Sequence, residues 1–414
     1  MSSKNPLSFR DRYFPALSQR NFRIFWTGQL VSVVGTWMQN IGQDWLVLEL
    51  TGSAAKLSVV AAIQFLPMML FSLFAGPFID RFPKRRTIIL TQSALAVLAF
   101  ALALITATHV VRYWMILVLA FLLGMVTLID NPTRQAYVIE LAGRESLMNA
   151  VSLNSAAFNT ARIFGPGVAG LLIELLGIAP CFFLNSFSFL AVIGALLFID
   201  TPPLASARMV EGLRDVLAST RDGLSYIRKK SEIAVPLILM AVVSTIVINF
   251  SIFVPTFAKI TLGKTAAGYG FLMTSMGIGS LIAALAQAVR SKAGPSASRL
   301  FGGAVAMCGA ILLCGLQRSY LLSCVLLGFA GFFMITFSTS VNAVIQLSSD
   351  DEHRGRVMSV YSLVFGGVTP IGSLYAGGLS EAVGPALCMS ISGAIGLLFS
   401  SSLLLRRRRR AKAA

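Results

Sequence analysis

Two charges, Asp44 and Arg162, each belong to a polar stripe at helical spacing within a long apolar stretch. Ser32, Thr36, Gln39 or Asn40, and Gln43 or Asp44 follow one another at three- and four-residue steps, so in a helix they share one face. Ser155, Asn159, Arg162 and Pro166 form a second such stripe. A carboxylate on a face of this kind can exchange a proton or touch a polar ligand. A guanidinium can bind an anion, pair with Asp44, or clamp free helix carbonyls. Asp44 beside Trp45 also suits an anchor at a membrane–water boundary. The spacing leaves these readings open.

The elements that must position these groups are membrane helices. The chain has 414 residues, 56% of them apolar and 12% charged, against ~25% charged in soluble domains. Twelve apolar runs are each long enough to cross a bilayer as a helix. They are Ile24 to about Leu50, Leu57 to Ile79, Thr87 to Thr108, Tyr113 to about Val138, Asn149 to Ile173, Pro180 to Ile199, Ile233 to Ala258, Ala267 to Val289, Ser298 to Leu316, Tyr320 to Val344, Val357 to Leu379 and Pro385 to Leu405. An all-α integral membrane protein is expected. Lipid would penalise the two polar stripes, so they should line a water-filled cavity. Arg162, near the middle of its run, should face that cavity.

The net charge of +17 is carried mostly by loops of one side, which sets topology rather than marking a nucleic-acid surface. The basic loops are expected inside, in the cell (inner, cytoplasmic) membrane, with both termini cytoplasmic. The divisions expected are a cytoplasmic N-terminus (1–23), a six-helix bundle (24–199), a cytoplasmic linker (200–232), a second six-helix bundle (233–405) and a basic tail (406–414) that includes Arg406 to Arg410. Within the linker, residues 211–226 place Leu213, Val216, Leu217 and Leu224 near helical spacing, as in an amphipathic helix on a membrane surface.

Between the second and third runs lies Gly76-Pro77-Phe78-Ile79-Asp80-Arg81-Phe82-Pro83-Lys84-Arg85-Arg86. Gly76, Asp80, Arg81, Lys84 and Arg85 resemble the loop between the second and third helices of the major facilitator superfamily. Pro83 stands where that pattern usually has Gly, which restricts the turn. Gly165-Pro166-Gly167-Val168-Ala169-Gly170 is similar to the span-five motif of the drug:proton antiporter branch. With Asp130-Asn131-Pro132-Thr133-Arg134-Gln135 and Gln43-Asp44-Trp45-Leu46-Val47, the chain resembles the enterobactin-exporter-like branch over nearly its whole length. The resemblance implies two pseudo-symmetric bundles and export by alternating access. Gly165, Pro166 and Gly170 would then pack and bend span five, while Asp80, Arg81, Asp130 and Arg134 would lock an inner gate. Solvation of Asp130 and Arg134 at a helix end is the plainer account.

Internal repetition supports two halves. Gly165, Ala169, Gly170, Glu174, Gly177 and Cys181 recur at an offset of 207 as Gly372, Ala376, Gly377, Glu381, Gly384 and Cys388. The chain is expected to be a secondary active transporter. A proton-coupled exporter of small amphiphilic, drug-like or siderophore-like molecules is expected, with an importer or facilitator of the same fold and a membrane receptor as alternatives. No enzyme constellation such as H-E-x-x-H or G-x-S-x-G is present, and the two histidines and scattered cysteines offer no metal set. No cofactor is expected beyond a proton gradient as energy source, and no nucleic-acid partner. A monomer is expected.

Overall fold

An apolar run in lipid must satisfy every backbone N–H and C=O within itself, and the helix is the one conformation that does so for a single segment. The computed structural model describes residues 14–79, 82–199, 213–289 and 297–413, and among the described residues it contains helices and no strand. The helices are α1 (Arg20–Thr51), α2 (Ala54–Ile79), α3 (Lys84–Ala107), α4 (Tyr113–Gly143), α5 (Glu145–Leu176) and α6 (Ala179–Leu197). An amphipathic helix, Leu213–Lys229, precedes α7 (Ser231–Thr261), α8 (Ala266–Val289), α9 (Ala297–Leu316), α10 (Tyr320–Ser348), α11 (Asp351–Val383) and α12 (Pro385–Ala413).

Among the described residues, eleven helices, α2 to α12, are long and apolar enough to cross a membrane. The expected count was twelve. α1 falls outside the set despite its 32 residues because Gln29, Ser32, Thr36, Gln39, Asn40, Gln43, Asp44 and Glu49 make it too polar. The burial pattern is that of a lipid-facing protein: Leu90, Val97, Phe187 and Leu321 are exposed, whereas Thr91, Gln92, Asn185 and Ser186 are buried.

Several boundaries differ from the sequence expectation. The loop expected between spans four and five shrinks to one residue, because helix continues from Tyr113 to Leu176 and leaves helical geometry only at Gly143 (φ 67°). Glycine reaches that conformation without a Cβ clash. α5 runs through Pro166 without leaving helical φ/ψ. α7 is interrupted after Ile246 and resumes at Phe250, and α7 and α11 each contain a π turn, at Phe257–Thr261 and Leu363–Gly367. The five-arginine tail continues α12 as helix.

The 207-residue repeat is visible in the packing. A Cβ at Gly165 would lie 2.6 Å from Trp37 Cβ of α1, and one at Gly372 would lie 2.8 Å from the Thr245 carbonyl of α7. Cys181 Sγ faces the Ala169 carbonyl at 3.8 Å, as Cys388 Sγ faces that of Ala376 at 3.4 Å. Each copy also crosses to the other set of helices. A Cβ at Gly170 would stand 2.7 Å from the Ala266 carbonyl of α8, and one at Gly377 would stand 2.8 Å from the Ala54 carbonyl of α2. Small residues at these four points let the helices approach to backbone contact.

Candidate functional site

The polar stripe of α1 is divided among three neighbours. Gln39 Oε1 accepts from Asn185 Nδ2 of α6 (2.7 Å), and Gln43 Nε2 donates to Gln64 Oε1 of α2 (2.9 Å). Both glutamines are buried and thereby satisfied, as a polar group in a membrane interior must be. Asp44, the next residue, reaches the other set of helices: its Oδ2 accepts from Tyr269 OH of α8 at 2.9 Å. Tyr269 is fully buried and stacks on Trp45, ring centroids 6.2 Å apart. Lys259 of α7 lies over the other part of this aromatic pair, its Nζ 5.1 Å from the Trp45 ring, and Trp45 Nε1 donates to Glu49 Oε1 (3.0 Å). Among the described residues Asp44 has no ion-pair partner. Lys259, the cation of this cluster, meets the aromatic ring instead.

Arg162 of α5 does not pair with Asp44. Its guanidinium lies 6.0 Å from the Trp37 ring of α1, and its Nη2 approaches Met334 Sδ of α10 at 3.8 Å. Its own carbonyl marks the crossing of α5 and α8, since a Cβ at Gly277 would sit 2.9 Å from it. Arg162 therefore occupies the point where α1, α5, α8 and α10 converge. Phe158, one turn earlier, makes an edge contact with Trp37 at 5.7 Å. Asn159 donates to the Ser155 carbonyl of its own helix (2.8 Å), and Asn40 is half-buried beside the stripe.

The residues expected at an inner gate fall into a second cluster. Asp130 is fully buried in α4; its Oδ1 accepts from Thr91 Oγ1 (2.6 Å) and Gln92 Nε2 (2.9 Å) of α3, and its Oδ2 lies 2.7 Å from Arg134 Nε. Helix-end solvation does not describe this carboxylate. Lys84 pairs with Glu140 of α4, and Arg85 Nε donates to the Leu196 carbonyl (2.9 Å) at the end of α6. The two bases thus tie the start of α3 to two other helices. Gly76 lies within α2, and Asp80 and Arg81 lie outside the described residues.

Sequence reasoning missed Tyr269, Lys259, Glu140, Thr91 and Gln92. A tyrosine or glutamine in an apolar run has no partner visible along the chain. Glu140 was the traceable one, since an acid near the end of an apolar run opposite a basic turn invites an ion pair.

The model of a family described as transmembrane secretion effector matches residues 12–414. The multidrug efflux pump Tap of Mycolicibacterium fortuitum is 27% identical over 364 residues, 86% of this chain and 88% of that protein. The staphyloferrin A transporter of Staphylococcus aureus is 24% identical over 382 residues, 90% and 92% of the two chains. Among solved structures, the nucleoside transporter NupG superposes with a TM-score of 0.72 at 12% identity, covering 94% of this chain and 98% of that one. A bacterial homolog of the lysosomal transporter Spinster, in an inward-facing conformation, superposes with a TM-score of 0.66 at 13% identity, covering 96% and 94%. These structures share the fold. The family match spans nearly the whole chain, and the chain belongs to the transmembrane secretion effector family of major facilitator superfamily transporters.

Proposed function

We propose that this chain is a proton-coupled exporter of small amphiphilic molecules, drug-like or siderophore-like, that works by alternating access between residues 24–199 and 233–405. α1 is the twelfth span, the basic loops and both termini are cytoplasmic, and the chain acts as a monomer in the cytoplasmic membrane. The relatives named for multidrug efflux and for staphyloferrin A transport support the substrate range.

The observation that carries the coupling is the contact between Asp44 and Tyr269. The carboxylate belongs to α1 and its O–H donor to α8, so the bond forms when the two sets of helices meet at this end and breaks when they part. A titratable group whose partner is present in one state and absent in the other is what linkage of proton uptake to a conformational change requires. Glu174–Thr265 and Glu381–Ser53 close the same end. With the topology proposed, that end is the outer one, and these contacts hold it closed.

Inside-out vesicles with an imposed proton gradient and a panel of fluorescent amphiphiles test the reading. Asp44→Asn should abolish proton-driven accumulation and retain downhill exchange. Accumulation against the gradient in Asp44→Asn would place the proton pathway elsewhere.

A further inference from the structure

We propose that Arg162 is the anion receptor of the transport cavity, and that the substrates it selects carry a carboxylate or similar anionic group beside an aromatic or branched apolar body. The inference rests on the transporter reading of the chain and names a substrate class for its central site.

A guanidinium presents five N–H donors. Here, the contacts at its head are a thioether sulfur at 3.8 Å and the face of an indole at 6.0 Å. Both are weak partners. No ion pair to Arg162 occurs among the described residues, and Asp44 of α1, Asp130 of α4 and Glu174 of α5 itself are each held by another group: Tyr269, Arg134 and Thr265. An arginine kept in the middle of a membrane helix without a carboxylate is costly unless an anion completes it during function.

Its surroundings match a second part of such a ligand. Trp37 and Phe158 form an edge-packed aromatic pair on the side of α1 and α5, and Met334 supplies a deformable, polarizable surface from α10. An anionic head on the guanidinium would therefore leave its apolar body against aromatic rings and a thioether. These groups come from both sets of helices, since Trp37 and Arg162 belong to α1 and α5 and Met334 to α10. A ligand held there replaces the Arg162–Met334 contact and senses the separation of the halves. The clamp alternative requires carbonyl acceptors at the guanidinium; the contacts found are the sulfur and the ring.

Calorimetric titration of the purified protein in zwitterionic-lipid nanodiscs tests this without any gradient, using 2-naphthoate, 2-naphthylmethanol and 2-naphthylmethylammonium with protein-free nanodiscs subtracted. Naphthoate should bind about tenfold or more tightly than the alcohol, the value of one charge-assisted hydrogen bond. Arg162→Gln should remove that preference, and Arg162→Lys should keep part of it. A wild-type protein without preference for naphthoate, or an Arg162→Gln variant that retains it, overturns the assignment. If Arg162→Gln fails to fold, the wild-type preference and the Arg162→Lys comparison decide alone. Retained proton-driven accumulation in Asp44→Asn with naphthoate selectivity intact would sink only the coupling scheme; loss of accumulation in Asp44→Asn with no naphthoate selectivity in the wild type would sink only the anion receptor.

Discussion

Glu174 and Glu381, 207 residues apart in the repeat, make the same kind of contact at the same end of the molecule. Glu174 Oε2 of α5 accepts from Thr265 Oγ1 just before α8 (2.9 Å), and Glu381 Oε2 of α11 accepts from Ser53 Oγ just before α2 (3.0 Å). Glu381 also accepts from the Ala55 amide (3.2 Å), while Ser53 Oγ accepts from the Lys56 amide (3.2 Å). The first-turn donors of α2, which lack partners within the helix, are satisfied partly by a carboxylate from the other half of the chain.

These two contacts act as latches, because each crosses between helices that must part when this end opens. Replacing both in Glu174→Gln/Glu381→Gln should cost the closed arrangement about 0.5–1 kcal/mol per latch at such exposed positions. The ratio of open to closed molecules should then rise roughly fivefold or more. Distances between spin labels placed in the α1–α2 and α7–α8 turns would report it. An unchanged distance distribution would reduce both glutamates to helix-terminal solvation.

The bond between Asp44 and Tyr269 gives a second measurement. Tyr269→Phe keeps the ring that stacks on Trp45 and removes the O–H, so a double-mutant cycle with Asp44→Asn isolates the pair. A hydrogen bond to a carboxylate is worth about 1.5–3 kcal/mol. The cycle, read by unfolding in detergent, should show a coupling of at least about 1 kcal/mol. Additive single effects would mean that the two side chains are merely adjacent.

The apolar runs were legible because lipid demands uninterrupted helices, and the polar stripe of α1 was legible because a helix repeats every three to four residues. The partners were not. Tyr269 is separated from Asp44 by 225 residues and Glu381 from Ser53 by 328, and such contacts depend on how helices cross rather than on any local pattern. Gly143 was unreadable for a different reason. Charged neighbours Arg144 and Glu145 suggest a loop, yet a single left-handed residue redirects the chain and lets helix resume at once.

Asp130 tests the second cluster. Its carboxylate is fully buried, accepts from Thr91 and Gln92 and pairs with Arg134, so Asp130→Ala strands several donors at once. Breaking a buried pair by removing one partner typically costs about 3–5 kcal/mol. Asp130→Asn, which keeps an acceptor for Thr91, should cost about 1–3 kcal/mol. Thermal unfolding in detergent should rank wild type above Asp130→Asn and Asp130→Asn above Asp130→Ala. Equal stability of the alanine variant would show that water reaches the site.

The amphipathic helix has its own pH dependence, set by its junction with α11. Lys230 Nζ lies 2.9 Å from Asp350 Oδ1, the Asp350 amide donates to Tyr226 OH (2.9 Å), and Tyr226 stacks on His353 at 4.2 Å, while Arg356 pairs with Asp222. The Lys230 contact, followed by that with Tyr226, holds the Asp350 carboxyl below the usual carboxylate range. Contacts with Tyr226 and then Asp350 hold Lys230 above the usual lysine range. A depressed carboxylate contributes fully above its unfolded pKa and loses its contribution as pH falls through the folded value. A raised lysine contributes fully below its unfolded pKa and loses its contribution as pH rises through the folded one. The contribution of the Lys230–Asp350 pair should therefore be flat between about pH 5 and pH 10 and weaken outside that window. Amide exchange of residues 213–229, corrected for its intrinsic pH dependence, should show a loss of protection toward about pH 3. Asp350→Asn should lower protection at neutral pH and flatten that acid limb. An acid loss of full size in the variant would show that the Lys230–Asp350 contact does not set the limb.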